Sequence, residues 1–117
     1  MRVTVAIRNL GALNGAYESE FLVDTGATDS VAPASALEKI GVKKVGKMVY
    51  ELANGARQEY PFGLVEISVM GEVTAGRIIF GPDDAEPRLG VTALDSVGIT
   101  VNPTTQTLER LPAIPLK

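Results

Sequence analysis

Apolar and polar residues alternate along several short stretches of the chain, which is the period-two pattern of β-strands that bury one face. The pattern is clearest at residues 3–7, at residues 17–23 and in the later stretch "LVEISVM". The residues that these strands would bury are Val3, Val5 and Ile7; Tyr17, Ser19, Phe21 and Val23; and Val65, Ile67 and Val69. The stretches "RIIF", "ITVN" and "TQTLERL" are also strand-like, so the chain is predicted to be mostly β.

Two Asn-Gly pairs predict tight turns between strands, because both residues tolerate the left-handed backbone that hairpin turns require. Asn14-Gly15 would join the first two strands, and Asn54-Gly55 lies between two strand-like arms over Met48–Tyr60. The Asn102-Pro103 pair would turn the chain between the last two strands. These turns predict two hairpins and a closing pair of strands.

Two short stretches carry helix signals instead of strand alternation. Pro33–Gly41 begins with proline, has apolar residues at Leu37 and Ile40, and ends at glycine. "VTALDSVG" is predicted to form one or two helical turns, with Thr92 as the N-cap and Gly98 as the stop. Short strands, frequent turns and one or two short helices are typical of a small closed β-barrel or a sandwich.

Composition narrows the possible chemistry. The 117 residues suggest a single domain over residues 1–117. The lack of Cys and His excludes a disulfide framework, a thiol nucleophile and a Ser-His-Asp triad, and it removes the usual sulfur and nitrogen ligands of zinc. A net charge of −3 with scattered basic residues argues against nucleic acid as a partner. Without a membrane-length apolar run or a signal-like start, we expect no membrane association and a cytoplasmic location.

The stretch "FLVDTGATDSVAP" carries the candidate chemistry, because an apolar strand ends directly in Asp24 and the chain then turns at Gly26. Backbone N–H groups of such a turn can donate to the carboxylate and hold it in place. A hydrolase without histidine or cysteine must use carboxylates, lysine or tyrosine as its acid and base. The alternative interpretation of the same residues is a simple turn after a buried strand.

This stretch resembles the active-site signature of the retropepsin-like aspartic proteases. The chain as a whole resembles a single-domain, prokaryotic-type member of that family. The family order of active-site strand, flap hairpin, apolar-apolar-Gly motif and short helix extends the likeness over most of the chain. The flap would be Met48–Tyr60, and the residues of its tip would be Ala53, Asn54, Gly55 and Ala56. The second signature would lie in "RLGVTALDSVGITVNP", and it begins with Arg88, Leu89 and Gly90. The resemblance implies a small closed β-barrel with a flap.

The resemblance also implies an aspartic endopeptidase, in which two aspartates share one proton and activate a water between them, with no metal and no cofactor. A chain with one DTG motif must supply Asp24 twice, so a homodimer is required for activity. By the same resemblance Thr25 hydrogen-bonds across the dimer, Gly26 contacts the substrate backbone, and Ala27 lines the pocket with its N–H near the acid. The flap would close over a peptide or protein substrate in extended conformation.

Several positions depart from the family pattern. Leu89 and Gly90 would pack beneath the active-site loop, but Arg88 stands where the family has an apolar residue. Arg88 would favour acidic substrate residues if it faces the groove; otherwise it points to solvent or the register shifts by one. Retroviral members carry an acid directly after DTGA that pairs with an arginine, whereas this chain has Thr28 and Val91, so that ion pair is expected to be absent.

Other polar and proline positions are expected to be structural. Asp29 is predicted to be a solvated turn residue, and Tyr50 and Tyr60 to pack within the flap strands; the alternative for all three is contact with the substrate. The stretch "PDDAEP" is predicted to be a solvated acidic turn instead of a metal loop. Pro112 and Pro115 cannot donate in a central strand, which predicts a dimer held weakly or by an edge other than the tail.

Two other functions are compatible with these residues. A non-catalytic peptide-binding or dimerisation module on the same fold needs no chemistry, and an intact motif does not prove turnover. Peptide binding that survives Asp24→Asn, without cleavage by the unmutated protein, would identify such a module. A carboxylate glycosidase would need a second acid in the same site, and the sequence singles out none.

Overall fold

The structure is a computed structural model that describes residues 1–12 and 15–116. It has nine strands and two short helices in the described part of the chain. In chain order they are β1 (Arg2–Asn9), β2 (Tyr17–Asp24), β3 (Ser30–Pro33), α1 (Ala34–Lys39), β4 (Gly46–Glu51), β5 (Arg57–Val69), β6 (Glu72–Gly81), β7 (Arg88–Gly90), α2 (Val91–Ser96), β8 (Ile99–Asn102) and β9 (Thr107–Arg110). None of the helices in these ranges has the length and apolar character needed to cross a bilayer.

Six strands close into a barrel. Their order is β1-β2-β7-β3-β6-β5, and β5 also pairs with β1, which joins the two ends of the sheet. The pairs β2–β7 and β3–β6 are parallel and the other barrel pairs are antiparallel. The predicted mostly β fold and the closed barrel are therefore confirmed.

The predicted alternation matches the side chains that fill the barrel. Val5 and Ile7 of β1, Phe21 of β2, and Val65 of β5 are fully buried, and the two remaining predicted residues of β5 are nearly so. Val3, Tyr17 and Val23 are partly buried and pack against the edge of this cluster. Because each strand buries alternate residues, one face of the sheet forms the core and the other carries the polar residues.

The β4–β5 pair extends the sheet beyond the barrel. β4 pairs only with the first half of β5, in antiparallel register from Gly46 opposite Phe62 to Glu51 opposite Arg57. β5 is one continuous strand of 13 residues, whereas the sequence suggested a flap arm and a separate barrel strand. The projecting hairpin is thus a direct extension of a barrel strand.

The two helices lie where the sequence predicted them, but one predicted cap is wrong. α1 begins directly after Pro33, and the chain leaves it through Gly41, which has a φ of 84°. α2 begins directly after Gly90, so Thr92 lies inside the helix and does not cap it. No side chain caps α2, because its first N–H groups donate to backbone carbonyls of the loop after β2.

Two residues after β9 contact Gly98 of the same chain. The Leu111 N–H donates to the Gly98 carbonyl at 2.8 Å, and the Ile114 side chain lies over Gly98, where a Cβ would meet it at 2.8 Å. Asn14 of the predicted Asn14-Gly15 turn lies outside the described residues. The predicted turn at Asn102-Pro103 does join β8 to β9, which form a separate two-stranded sheet.

Phe21→Ala tests whether the β2 face anchors the barrel. Removing this fully buried ring is expected to lower the free energy of unfolding by about 3–5 kcal/mol, because it loses apolar burial and leaves a cavity. Urea unfolding measures the change. Val73→Ala, at a position 60% exposed on β6, is the control and should change little. Equal effects of the two substitutions would contradict this description of the core.

Candidate active site

Asp24 lies at the last position of β2, where the strand runs beside β7. The parallel register pairs Leu22 with Arg88, Val23 with Leu89, and Asp24 with Gly90. Leu89 is fully buried and Val23 packs against the core. Since side chains alternate along both strands, Asp24 and Arg88 lie together on the opposite side of the sheet from the core.

The Asp24 carboxylate has one contact with the backbone and one with a charged side chain. The Gly26 N–H donates to Oδ1 at 3.1 Å, and the Ala27 N–H donates to the Asp24 carbonyl at 3.2 Å, which closes the turn. Arg88 Nη1 lies 3.2 Å from Oδ2. The Asp24 side chain remains 29% exposed, so the carboxylate is oriented but still open to solvent.

The start of α2 supports the loop that follows Asp24. The Val91 N–H donates to the Ala27 carbonyl at 2.8 Å, and the Thr92 N–H donates to the Thr28 carbonyl at 3.2 Å. The positions where retroviral members carry an ion pair, Thr28 and Val91, are thus held by backbone hydrogen bonds. The loop carbonyls satisfy the helix N–H groups that would otherwise lack partners.

Gly90 is required by the close approach of β7 to this loop. A Cβ on Gly90 would lie 2.6–2.8 Å from backbone atoms of Thr28 and Asp29, which is too close for any side chain. The Gly90 N–H donates to Ser30 Oγ at 2.9 Å, and Ser30 is only 2% exposed. Gly90 therefore lies directly against the loop, and Leu89 beside it is buried in the core. Ser30 was missed, because a small hydroxyl within a polar stretch carries no distinguishing pattern.

Asp29 is not the solvated turn residue that the sequence predicted. Its side chain is only 10% exposed, and its Oδ2 accepts a hydrogen bond from the Tyr50 hydroxyl at 2.7 Å. Arg77 Nη1 lies 3.7 Å from the same oxygen, and the Arg77 guanidinium stacks 4.2 Å above the Phe62 ring. The prediction failed because β4 and β6, which are distant in sequence, cover this acid in the fold.

Tyr50 connects the β4–β5 hairpin to the loop that carries Asp24. It is the residue through which β4 reaches Asp29, and its ring also lies 6.2 Å from the Tyr60 ring, as measured between centroids. Burial, together with the hydrogen bond and negative charge of Asp29, raises the pKa of Tyr50 from its ordinary value of 10.0 to about 12, while Arg77 opposes the shift. The neutral phenol is therefore the form that suits this contact.

The tip of the hairpin is a three-residue loop. The Gly55 N–H donates to the Leu52 carbonyl at 2.9 Å, and the Leu52 N–H donates to the Ala56 carbonyl at 2.7 Å. Gly55 has a φ of 82°, as expected for a type I turn followed by a left-handed residue. The predicted tip residues all lie in this exposed turn or directly after it: Ala53, Asn54, Gly55 and Ala56.

The acidic stretch "PDDAEP" forms a turn beside α1. Asp83 Oδ1 accepts a hydrogen bond from the Ser35 N–H at 3.0 Å, and this contact lowers the Asp83 pKa. Within residues 1–12 and 15–116, no three His, Cys, Asp or Glu side chains lie where they could hold a metal ion together. The partner of Asp83 in the fold is thus the backbone of Ser35 in α1.

Ser30→Ala is expected to lower the free energy of unfolding by about 1–3 kcal/mol, because the Gly90 N–H would lose its acceptor in a buried position. Urea unfolding measures the change. Ser68→Ala, on the outward side of β5, is the matched control, with an expected change below about 0.5 kcal/mol. A Ser30→Ala protein as stable as the control would show that this hydrogen bond does not support the loop.

Tyr50→Phe tests the pH dependence of the hairpin contact. Because the folded-state pKa is the higher one, the unfolded chain loses the phenol proton first as pH rises. The contribution of Tyr50 is thus fully present below about pH 10 and is lost as pH rises to about 12. The free energy of unfolding, measured with urea across this pH window, should fall less steeply with pH for Tyr50→Phe than for the unmutated protein. Tyr17→Phe, which removes a phenol elsewhere, should keep the original slope.

Comparison with known proteins identifies the fold and the family. Among solved structures, the chain is similar to EIAV protease complexed with the inhibitor HBY-793, with 20% sequence identity, a TM-score of 0.67, and coverage of 87% of this chain and 91% of that chain. This likeness confirms the predicted retropepsin-like barrel. Comparison with curated proteins found no match. A family model described as aspartyl protease matches residues 10–89, more than half of the chain. The chain therefore belongs to the aspartyl protease family.

Proposed function

We propose that this protein is an aspartic endopeptidase that works as a homodimer, with one Asp24 from each protomer. The observation that carries the proposal is the setting of Asp24, which is oriented by the Gly26 N–H at the end of a barrel strand and is still partly exposed. Membership of the aspartyl protease family supports peptide-bond hydrolysis as the reaction. The catalytic residue, the endopeptidase specificity and the dimer are the parts that we infer.

A second Asp24 is needed because one carboxylate cannot perform the reaction alone. The acid nearest in sequence, Asp29, is largely buried and is paired with Tyr50 and Arg77. Asp83 contacts α1. A two-fold axis beside the Asp24 loop would bring two identical carboxylates together, with the exposed Thr25 and Gly26 at the contact.

The proposed chemistry follows from two carboxylates at close range. They cannot both be ionised, so they share one proton. The ionised carboxylate takes a proton from a water, whose oxygen attacks the scissile carbonyl carbon, and the protonated carboxyl donates its proton to the carbonyl oxygen. Proton return to the amide nitrogen then allows the C–N bond to break. Two Asp24 side chains suffice for these transfers.

The β4–β5 hairpin is proposed to be the flap that covers the substrate. A substrate in extended conformation would lie between this hairpin and the Asp24 loop and pair with backbone groups as a strand does. The Tyr50–Asp29 hydrogen bond supports this role, because Tyr50 lies close to the tip of the hairpin, opposite Gln58, and connects it to the loop that follows Asp24. The exposed tip at Ala53–Ala56 would then cover the substrate.

One observation favours a non-catalytic peptide-binding module as the second candidate. Arg88 Nη1 contacts Asp24 Oδ2, so this oxygen is less free to contact a water or a second carboxylate. In such a module the same groove would bind an extended peptide without cleaving it. The experiment on Asp24 therefore needs a binding measurement beside the cleavage measurement.

Asp24→Asn is expected to abolish cleavage, because an amide cannot act as the base of the dyad. Mass spectrometry of a diverse peptide library measures cleavage between about pH 3 and 8, where a shared-proton dyad can work. Asp84→Asn, which alters an exposed acid in the loop before β7, is the matched control and should cleave normally. Full cleavage by Asp24→Asn would refute the catalytic assignment. If the unmutated protein and Asp24→Asn both bind peptides and neither cleaves them, the result would instead support the binding module.

Mixing the unmutated protein with Asp24→Asn tests whether each protomer supplies one acid. Random pairing of equal amounts leaves about a quarter of dimers with two Asp24 side chains. Activity per unmutated chain should therefore fall on mixing, and specific activity should rise with concentration as dimers form. Activity that is independent of both the mutant chain and the concentration would contradict the shared dyad.

A further inference from the structure

Arg88 is the charged side chain in contact with the candidate catalytic carboxylate. The sequence left open whether Arg88 faces the groove, points to solvent or lies out of register. The β2–β7 register resolves this, because Arg88 pairs with Leu22 and lies on the same side of the sheet as Asp24. Its Nη1 lies 3.2 Å from Asp24 Oδ2, and its side chain is 48% exposed.

We propose that Arg88 determines substrate specificity by binding an acidic side chain, Asp or Glu, on a residue that flanks the scissile bond. When it binds this carboxylate, Arg88 gives up its contact with Asp24. The preferred substrate is thus a peptide with an acidic residue directly before or after the bond that is cleaved. This inference rests on the proposed function and deepens it.

The reach of Arg88 limits the substrate positions that it can contact. The scissile carbonyl must lie over Asp24, and the Arg88 guanidinium is within hydrogen-bonding distance of that carboxylate. Only a side chain attached next to the scissile bond can meet the guanidinium there. In a two-fold dimer each protomer contributes one Arg88, so one arginine would serve the residue before the bond and the other the residue after it.

The contact between Arg88 and Asp24 is of a kind that can be exchanged. Both side chains are partly exposed, and exposed ion pairs are weak because water and salt screen them. The contact also uses one guanidinium nitrogen, Nη1, on one carboxylate oxygen. A substrate carboxylate facing the planar guanidinium could instead form two parallel hydrogen bonds, which is the stronger geometry for arginine.

The exchange connects recognition to chemistry. A bound acidic side chain draws the Arg88 guanidinium away from Asp24 Oδ2, which leaves that oxygen free to contact the attacking water. A neutral side chain offers Arg88 no competing carboxylate, so the guanidinium stays on Asp24. A basic side chain would be repelled by it. Acidic substrates should therefore have a higher kcat as well as a lower KM.

The competing explanation is that Arg88 only orients Asp24. In that case, replacing Arg88 would weaken cleavage of all peptides by the same factor and would not change which peptide is preferred. Reversing the charge at position 88 separates the two explanations, because only a specificity residue transfers the preference to substrates of opposite charge.

The experiment compares three peptides that differ at one residue flanking the cleaved bond, which is Glu, Gln or Lys. The unmutated protein is expected to cleave the Glu peptide at least about tenfold better than the Gln peptide, as measured by kcat/KM. Arg88→Gln should bring this ratio close to one, and Arg88→Glu should reverse it in favour of Lys. Arg8→Gln, which removes an arginine paired with Glu66 elsewhere on the barrel, is the matched control and should keep the Glu preference.

A binding measurement separates failure of this inference from failure of the proposed function. Peptides with a reduced, non-hydrolysable central bond and either Glu or Gln beside it are titrated into the unmutated protein and Arg88→Gln, with melting temperatures as a check on folding. A Glu preference that requires Arg88 supports the inference even if no peptide is cleaved. The same Glu-to-Gln ratio in both proteins, in cleavage or in binding, would overturn it, and the catalytic proposal would then depend on the Asp24→Asn measurement alone.

Discussion

The approach of β7 to the loop after β2 is the constraint on which the site depends. Gly90 lies so close to the backbone of Thr28 and Asp29 that no side chain fits there, and its N–H is bound by the buried Ser30 hydroxyl. The same approach lets the start of α2 donate to the loop carbonyls. Because β7 also sets the register of Arg88 against Leu22, one backbone contact determines the shape of the loop and which charged side chain meets Asp24.

Much of the barrel could be predicted because its strands bury alternate residues, and alternation is local information. β1, β2 and the second half of β5 followed directly from the positions of Val5, Phe21 and Val65. Asp24 was singled out because an apolar strand leads into it and Thr25-Gly26 follow, which is the stretch that resembles the aspartic proteases. The short strands β3 and β7 were missed, because three or four residues are too few to show a period.

The parts that could not be predicted depend on residues that meet only in the folded chain. Asp29 looks like a turn residue in sequence, and its burial results from Tyr50 on β4 and Arg77 on β6. Thr92 has the residue type of an N-cap, yet carbonyls of a distant loop already bind the N–H groups of α2, so no side-chain cap is needed. In both cases a contact from elsewhere in the fold overrode a local preference.

Asp24 and Asp29 lie at the two ends of the same loop, and their different burial suits them to different roles. Each has an arginine from a neighbouring strand, but the Asp29 carboxylate is 10% exposed and also accepts the Tyr50 hydroxyl, whereas Asp24 is 29% exposed. Removing a partner from a buried charge leaves it without compensation, so the contacts of Asp29 are costly to break. A partly exposed carboxylate can exchange its partner for water or another charge. The buried acid is therefore suited to connect the hairpin to the loop, and the exposed acid is suited to take part in chemistry.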